Sequence, residues 1–197
     1  MTIFQWIIPA LWLLFLVYWA VSAIGAKRSL GTSAWWKQSL LRGGIVVLTL
    51  AAIHFAGAGH ALRAAQVYQA RSVLLGAIGA LLVLLGVGLA IFARVYLGRN
   101  WGMPMSRKAE PELVTRGPYA FVRHPIYTGL IMGAVAMAAL QAKPWAIAGA
   151  ALFSLGFTLK ARVEERFLEK EIGGYDAYRR RVAMILPLPK IPLRSLL

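Results

Sequence analysis

Between Gly117 and Gly129 the chain reads Gly-Pro-Tyr-Ala-Phe-Val-Arg-His-Pro-Ile-Tyr-Thr-Gly, which gathers Tyr119, Arg123, His124 and Tyr127 between two apolar segments. Further on, Glu164-Glu165 stand within Lys160-Ala161-Arg162-Val163-Glu164-Glu165-Arg166. These groups offer an imidazole that can carry a proton, carboxylates that accept hydrogen bonds and attract cations, and a guanidinium with a planar fork of donors. The two prolines free backbone groups that lipid does not satisfy, so the first stretch reads as the wall of a polar cavity and not as an ordinary lipid-facing helix. The sequence has no cysteine, which removes disulfides, thiol nucleophiles and thiolate metal sites together. No metal is expected.

The elements that must hold these groups are membrane spans. Of 197 residues, 59% are hydrophobic and only 15% charged, far from soluble-domain values. Several apolar runs approach the roughly 20 residues that cross a bilayer. They fall at about 3–24, 43–59, 73–96, 127–140 and 145–159. The expected fold is all-α, an integral membrane bundle of about five transmembrane helices with a cytoplasmic helical extension at the carboxyl end. Such spans and their loops use up nearly the whole chain, so residues 1–197 form one domain, with the polar segments 98–126 and 160–187 on one side. The last two spans are short and read as a hairpin turned at Gln141 to Pro144, locally thinning the bilayer.

Charge supplies the orientation. The net charge is +15, and all seven acidic residues lie between Glu110 and Asp176. Basic residues crowd the loop from Lys27 to Arg42, the loop after the third span, and the segment from Lys160 onward. The amino terminus has none before its first span, which is the reverse of a secretory signal peptide. Positive-inside counting therefore predicts an outside amino terminus, a cytoplasmic carboxyl terminus and a site on the cytoplasmic side. Headgroups, and not nucleic acid, account for the basic loops. Expected partners are membrane lipids and a lipophilic small-molecule or lipidated substrate reached from the bilayer; the oligomeric state is open.

Small residues in the second and third spans, among them Gly76, Gly79, Gly86 and Gly88, predict close helix packing and no dimer motif. His54 is read as bonding a neighbouring carbonyl, and Arg94 as snorkelling or facing the cavity. Past Leu159 the helix continues through Ile172 and stops at Gly173-Gly174. Tyr175, Tyr178 and Arg179 to Arg181 are expected as membrane-surface anchors, with a proline-rich, non-helical tail after them.

Glu112-Leu113-Val114-Thr115-Arg116-Gly117-Pro118-Tyr119, then Arg123-His124-Pro125-Ile126-Tyr127-Thr128-Gly129, then Glu164-Glu165, resembles the signature of the isoprenylcysteine carboxyl methyltransferase family and its bacterial and phospholipid methyltransferase relatives. The resemblance covers roughly 94–187. It implies an S-adenosyl-L-methionine site at the cytoplasmic end of the bundle, without a Rossmann domain, in a bacterial inner membrane. Cofactor contacts would fall on Pro111, Glu112, Leu113, Val114, Tyr119, His124, Pro125, Ile126, Tyr127 and Glu164. Where the family carries a substrate arginine one turn before the glutamate, this chain has Lys160, with Arg162 close by, and these are the expected substrate-binding residues. Lys lacks the bidentate fork of Arg.

Methyl transfer from a sulfonium needs no protein nucleophile, and orientation and charge placement supply most of the rate. A carboxylate acceptor needs no base; an ammonium acceptor must lose a proton, for which His124 or Glu165 are candidates. With Arg123, which could bind a carboxylate or a headgroup phosphate, these form the expected catalytic set. The expected activity is S-adenosylmethionine-dependent methylation of a lipophilic acceptor, foremost an isoprenylcysteine-like carboxyl group. An amino-lipid N-methyltransferase, a non-catalytic small membrane protein or transporter subunit, and a nicotinamide-dependent reductase are the alternatives.

Overall fold

A computed structural model describes residues 3–23, 29–30, 73–98, 107–108, 113–142 and 144–187. The expected second span at 43–59, with His54, and the site candidates Pro111 and Glu112 lie outside the described residues. Five α-helices are described: α1 (Phe4–Ala23), α2 (Val73–Leu97), α3 (Pro125–Gln141), α4 (Pro144–Glu171) and α5 (Tyr175–Arg181). A 3-10 turn covers Gly117–Ala120, and Ser29–Leu30 pairs antiparallel with Arg107–Lys108.

By length and composition two helical segments can cross a membrane, Val73–Leu97 and Ala146–Glu171; Trp6–Ser22 and Pro125–Gln141 are shorter and apolar. Their outward faces suit lipid: Leu13, Leu16 and Val17 of α1, Leu81 and Leu84 of α2, and Leu152 and Leu155 of α4 are exposed. The inward face of α2 is built from small residues at helical spacing, with Gly79, Ala80, Val83, Gly86, Val87, Ala90 and Ala93 buried. This face meets α3 through Gly129 and Gly133.

The closest approach is glycine to glycine. A methyl group built on Gly86 would stand 2.5 Å from the Gly129 carbonyl oxygen, and one on Gly129 would run into the Gly86 carbonyl. Neither position admits a side chain without moving backbone. Close packing is therefore what Gly86 and Gly129 provide, and they fix the height of α3 against α2, whereas Gly88 has open space beside it. Because α3 begins at Pro125, that contact also sets where His124 and Tyr127 sit.

α4 runs without a break from the apolar segment into the charged one and ends before Gly174, whose φ of +81° suits glycine. Beyond Gly174 the chain departs from expectation. Tyr175–Arg181 is helical, and Tyr175 and Tyr178 are buried at 2% and 6% exposure, so they are packing residues of the polar cap and not membrane-surface anchors. Tyr178 donates a 2.6 Å hydrogen bond to the Tyr119 carbonyl, which ties α5 to the 3-10 turn.

Candidate active site

The polar segments converge at the end of the bundle where α2 finishes and α3 starts. Gly117 takes a φ of +58° with the Tyr96 ring where a Cβ would be, so a glycine is needed there twice over, for its backbone and for space. The adjoining 3-10 turn buries Pro118 and Tyr119 against the core. Pro125 occupies the first turn of α3, where a missing N–H costs nothing, and is fully buried.

The residues just before α3 are held by the chain beyond α5. The N–H groups of Arg123 and His124 donate to the carbonyls of Ala183 and Met184 at 2.8 and 3.0 Å, and Thr128 Oγ1 donates to Ile185 O at 2.7 Å. Residues 182–185 thus form a strap along the start of α3. Arg123 closes it from inside: Nη1 donates to the carbonyls of Arg179, at 3.0 Å, and Val182.

The other edge of Arg123 grips α4. Nε and Nη2 donate to Glu165 Oε1 and Oε2 at 2.7 and 2.9 Å, a two-pronged pair with both residues buried. His124 Nε2 stands 3.1 Å from the same Oε1, and Arg179 Nε lies 3.6 Å from Oε2. Burial pushes the Glu165 carboxyl upward, but hydrogen bonds from His124 and Arg123 and their charge outweigh it and hold it at about 2.

Glu164, one position earlier, faces the other way. Tyr127 donates to its Oε1 at 2.5 Å, and its Oε2 is 3.7 Å from His124 Nδ1. Burial raises this carboxyl above 4.5, more than the Tyr127 hydrogen bond and the nearby His124 and Lys160 lower it. His124 stacks on Tyr127 with ring centres 5.4 Å apart and planes at 4°. Phe157 lies 4.9 Å from Tyr127, and Lys160 Nζ is 5.3 Å from the Tyr127 ring centre and 5.8 Å from that of Phe157.

Of the expected residues, the structure brings His124, Tyr127, Lys160, Glu164 and Glu165 together, with Arg123 behind them. Tyr119 and Ile126 are buried, and Leu113 and Val114 half-buried, with Val114 packed on the core. Arg162 is exposed and takes no part in these contacts. Arg123 does not present its guanidinium to a ligand, because all three of its nitrogens are engaged by Glu165 and two carbonyls. Arg94 is likewise turned inward, donating to Gly98 O at 2.7 Å and to Ser22 O, at the end of α1, at 2.5 Å. Sequence reasoning missed Phe157 and the strap. Phe157 lies at helical spacing from Lys160 and Glu164 and was findable; the strap binds through carbonyls, which leave no trace in residue types. Among the described residues no group of three or more His, Asp or Glu is placed to hold a metal ion.

Residues 78–170 match the sequence profile of the isoprenylcysteine carboxyl methyltransferase family. That match covers a little under half of the chain. The matched stretch takes in α3, His124, Tyr127 and both glutamates. Two curated relatives extend the comparison. The nickel-cobalt-cadmium resistance protein of Alcaligenes xylosoxydans is 33% identical over 109 residues, covering 53% of this chain and 50% of that protein. The cobalt-zinc-cadmium resistance protein of Cupriavidus metallidurans is 33% identical over 106 residues, 53% of this chain and 47% of that protein. The chain spans about half the length of both. The structure of the eukaryotic intramembrane Ras methyltransferase is similar with a TM-score of 0.54 and 24% identity, over 81% of this chain and 55% of that one, a likeness of fold.

Proposed function

We propose that this chain is a membrane-embedded methyltransferase that uses S-adenosyl-L-methionine and methylates a lipophilic acceptor, foremost a carboxyl group of isoprenylcysteine type. The single observation that carries the reading is Glu164, a partly buried carboxylate with one oxygen held by Tyr127 and the other turned toward His124, in a segment that matches a methyltransferase family profile. A sulfonium or ammonium cation fits there: it needs a negative partner and aromatic faces, and Tyr127, Phe157 and Glu164 supply them. When bound, the cofactor supplies a methyl group on a positively charged sulfur, and a carboxylate acceptor takes it without losing a proton.

The chain's own residues then have distinct tasks. Glu164 attracts a cation and is oriented by Tyr127. Glu165, Arg123 and the strap hold the His124 ring and the start of α3 in place. Lys160, exposed at the rim, offers a positive charge to an anionic headgroup. For an amine acceptor, His124 is the group positioned to receive a proton, since its ring nitrogens face both carboxylates.

The reading includes five spans, with the amino terminus outside and the site at the cytoplasmic face of a bacterial inner membrane. Support comes from the basic residues around the polar end and the continuity of α4 from its apolar into its charged half. Leu113, Val114, Tyr119, Pro125 and Ile126, with Pro111 and Glu112, complete the proposed cofactor site, the buried ones through backbone and packing. Incubating the purified protein with methyl-labelled S-adenosylmethionine and a farnesylated cysteine analogue tests the activity. Base-labile label in the lipid fraction is the expected result; base-stable label would point to nitrogen, and none to a protein without this activity.

A further inference from the structure

Lys160 stands where a positively charged ligand would be drawn. Its ammonium lies over the rings of Tyr127 and Phe157 at 5.3 and 5.8 Å, and Tyr127 is the residue whose hydroxyl binds Glu164. Glu164 itself lies one helical turn further along the same face of α4, close enough for the lysine's charge to act on its carboxyl. A cation over an aromatic ring beside a carboxylate is the environment a sulfonium would also choose. Two positive charges there repel each other, whereas a neutral thioether meets no such penalty.

Resting on the S-adenosylmethionine reading above, we propose that Lys160 is a resident cation which competes with a positively charged ligand for the Tyr127 ring and Glu164. The site as built therefore discriminates against the sulfonium form of the cofactor relative to its neutral-sulfur product. An anionic acceptor headgroup that draws the lysine away from the rings relieves the competition. Lys160 thus sets the preference between methyl donor and product and couples it to the charge of the acceptor. An arginine here would keep the charge, so the effect belongs to the cation and not to the lysine stem.

Calorimetric titration of S-adenosylmethionine and S-adenosylhomocysteine into the detergent-solubilised protein tests this without any acceptor or turnover. In Lys160→Met the affinity for the methionine form should rise about fivefold relative to the homocysteine form, the scale of one exposed cation–aromatic contact. Lys160→Gln, a second neutral variant, should do the same, and Lys160→Arg should keep the wild-type ratio. Lys170→Met, which removes an exposed charge elsewhere on α4, should leave it unchanged. An unchanged ratio in both neutral variants, with S-adenosylhomocysteine still bound, overturns the inference alone. Failure of the wild type to bind either compound removes the cofactor reading and the inference with it.

Discussion

Glu164 and Glu165 are neighbours in the chain, yet the regions they face are built on opposite terms. Behind Glu165 lies a closed clasp in which Arg123, Arg179 and His124 answer one carboxylate, and Arg123 also ties down the end of α5. In front of Glu164 lies an open arrangement of one tyrosine, one histidine at a longer distance and a lysine resting on aromatic rings. The Glu165 carboxyl is pulled down to about 2, and burial pushes that of Glu164 up. A fully answered charge is a structural part, while an incompletely answered, partly buried charge is a place for a ligand. The turn of roughly 100° per residue in a helix is enough to separate the two roles.

The division is broken most directly by removing one glutamate at a time. Glu165→Leu leaves Arg123 buried without its partner and should cost about 3–5 kcal/mol, seen as a large fall in the thermal unfolding temperature in detergent. Glu164→Gln should change stability by less than about 1 kcal/mol. Equal losses in the two would erase the distinction.

Next in size is the glycine contact that sets the height of α3. Gly129→Ala forces a methyl group onto the Gly86 carbonyl and should cost about 1–3 kcal/mol. It should also weaken cofactor binding, because His124 and Tyr127 move with the helix; unchanged binding would show that the site does not depend on this contact.

Proton linkage gives the two carboxyls opposite signs. Glu165 has a lowered value, so its contribution is complete above its ordinary 4.5 and is lost as pH falls toward about 2. Glu164 has a raised value, so its contribution is present below 4.5 and is lost as pH rises through its folded value. The deficit of Glu165→Gln against wild type should therefore shrink as pH falls below 4.5, while Glu164→Gln should gain on wild type as pH rises above it. Thermal unfolding at several pH values reads both, and parallel curves would contradict the assignment.

The smallest expected effect lies in the clasp's outer support. Tyr178→Phe removes the hydrogen bond to the Tyr119 carbonyl and should cost about 1 kcal/mol. It should leave the ratio of donor to product affinity untouched.

Much of this was legible in the residues. Helices at Phe4–Ala23, Val73–Leu97 and Pro125–Gln141 arise from runs of apolar side chains, and the unbroken α4 from Leu168 and Ile172 repeating at helical spacing past Leu159. His124 and Tyr127 stand out because polar groups between apolar segments need a reason, whereas Glu164 lies in a charged run and was legible only through its place in the family-like order of motifs. The helix at Tyr175–Arg181 was not legible, since seven residues beside two glycines have little helical tendency of their own and form a helix by burying Tyr175 and Tyr178. Nor was the role of Arg123, whose partners include the carbonyls of Arg179 and Val182; any residue type supplies those.

The most direct test of the central claim is calorimetric titration of S-adenosylhomocysteine into the folded, detergent-solubilised protein, beside Glu164→Ala. The account predicts micromolar binding by the wild type that is lost in the variant, with helical content the same in both. Absence of binding by a well-folded wild type, or equal binding by the variant, would contradict it.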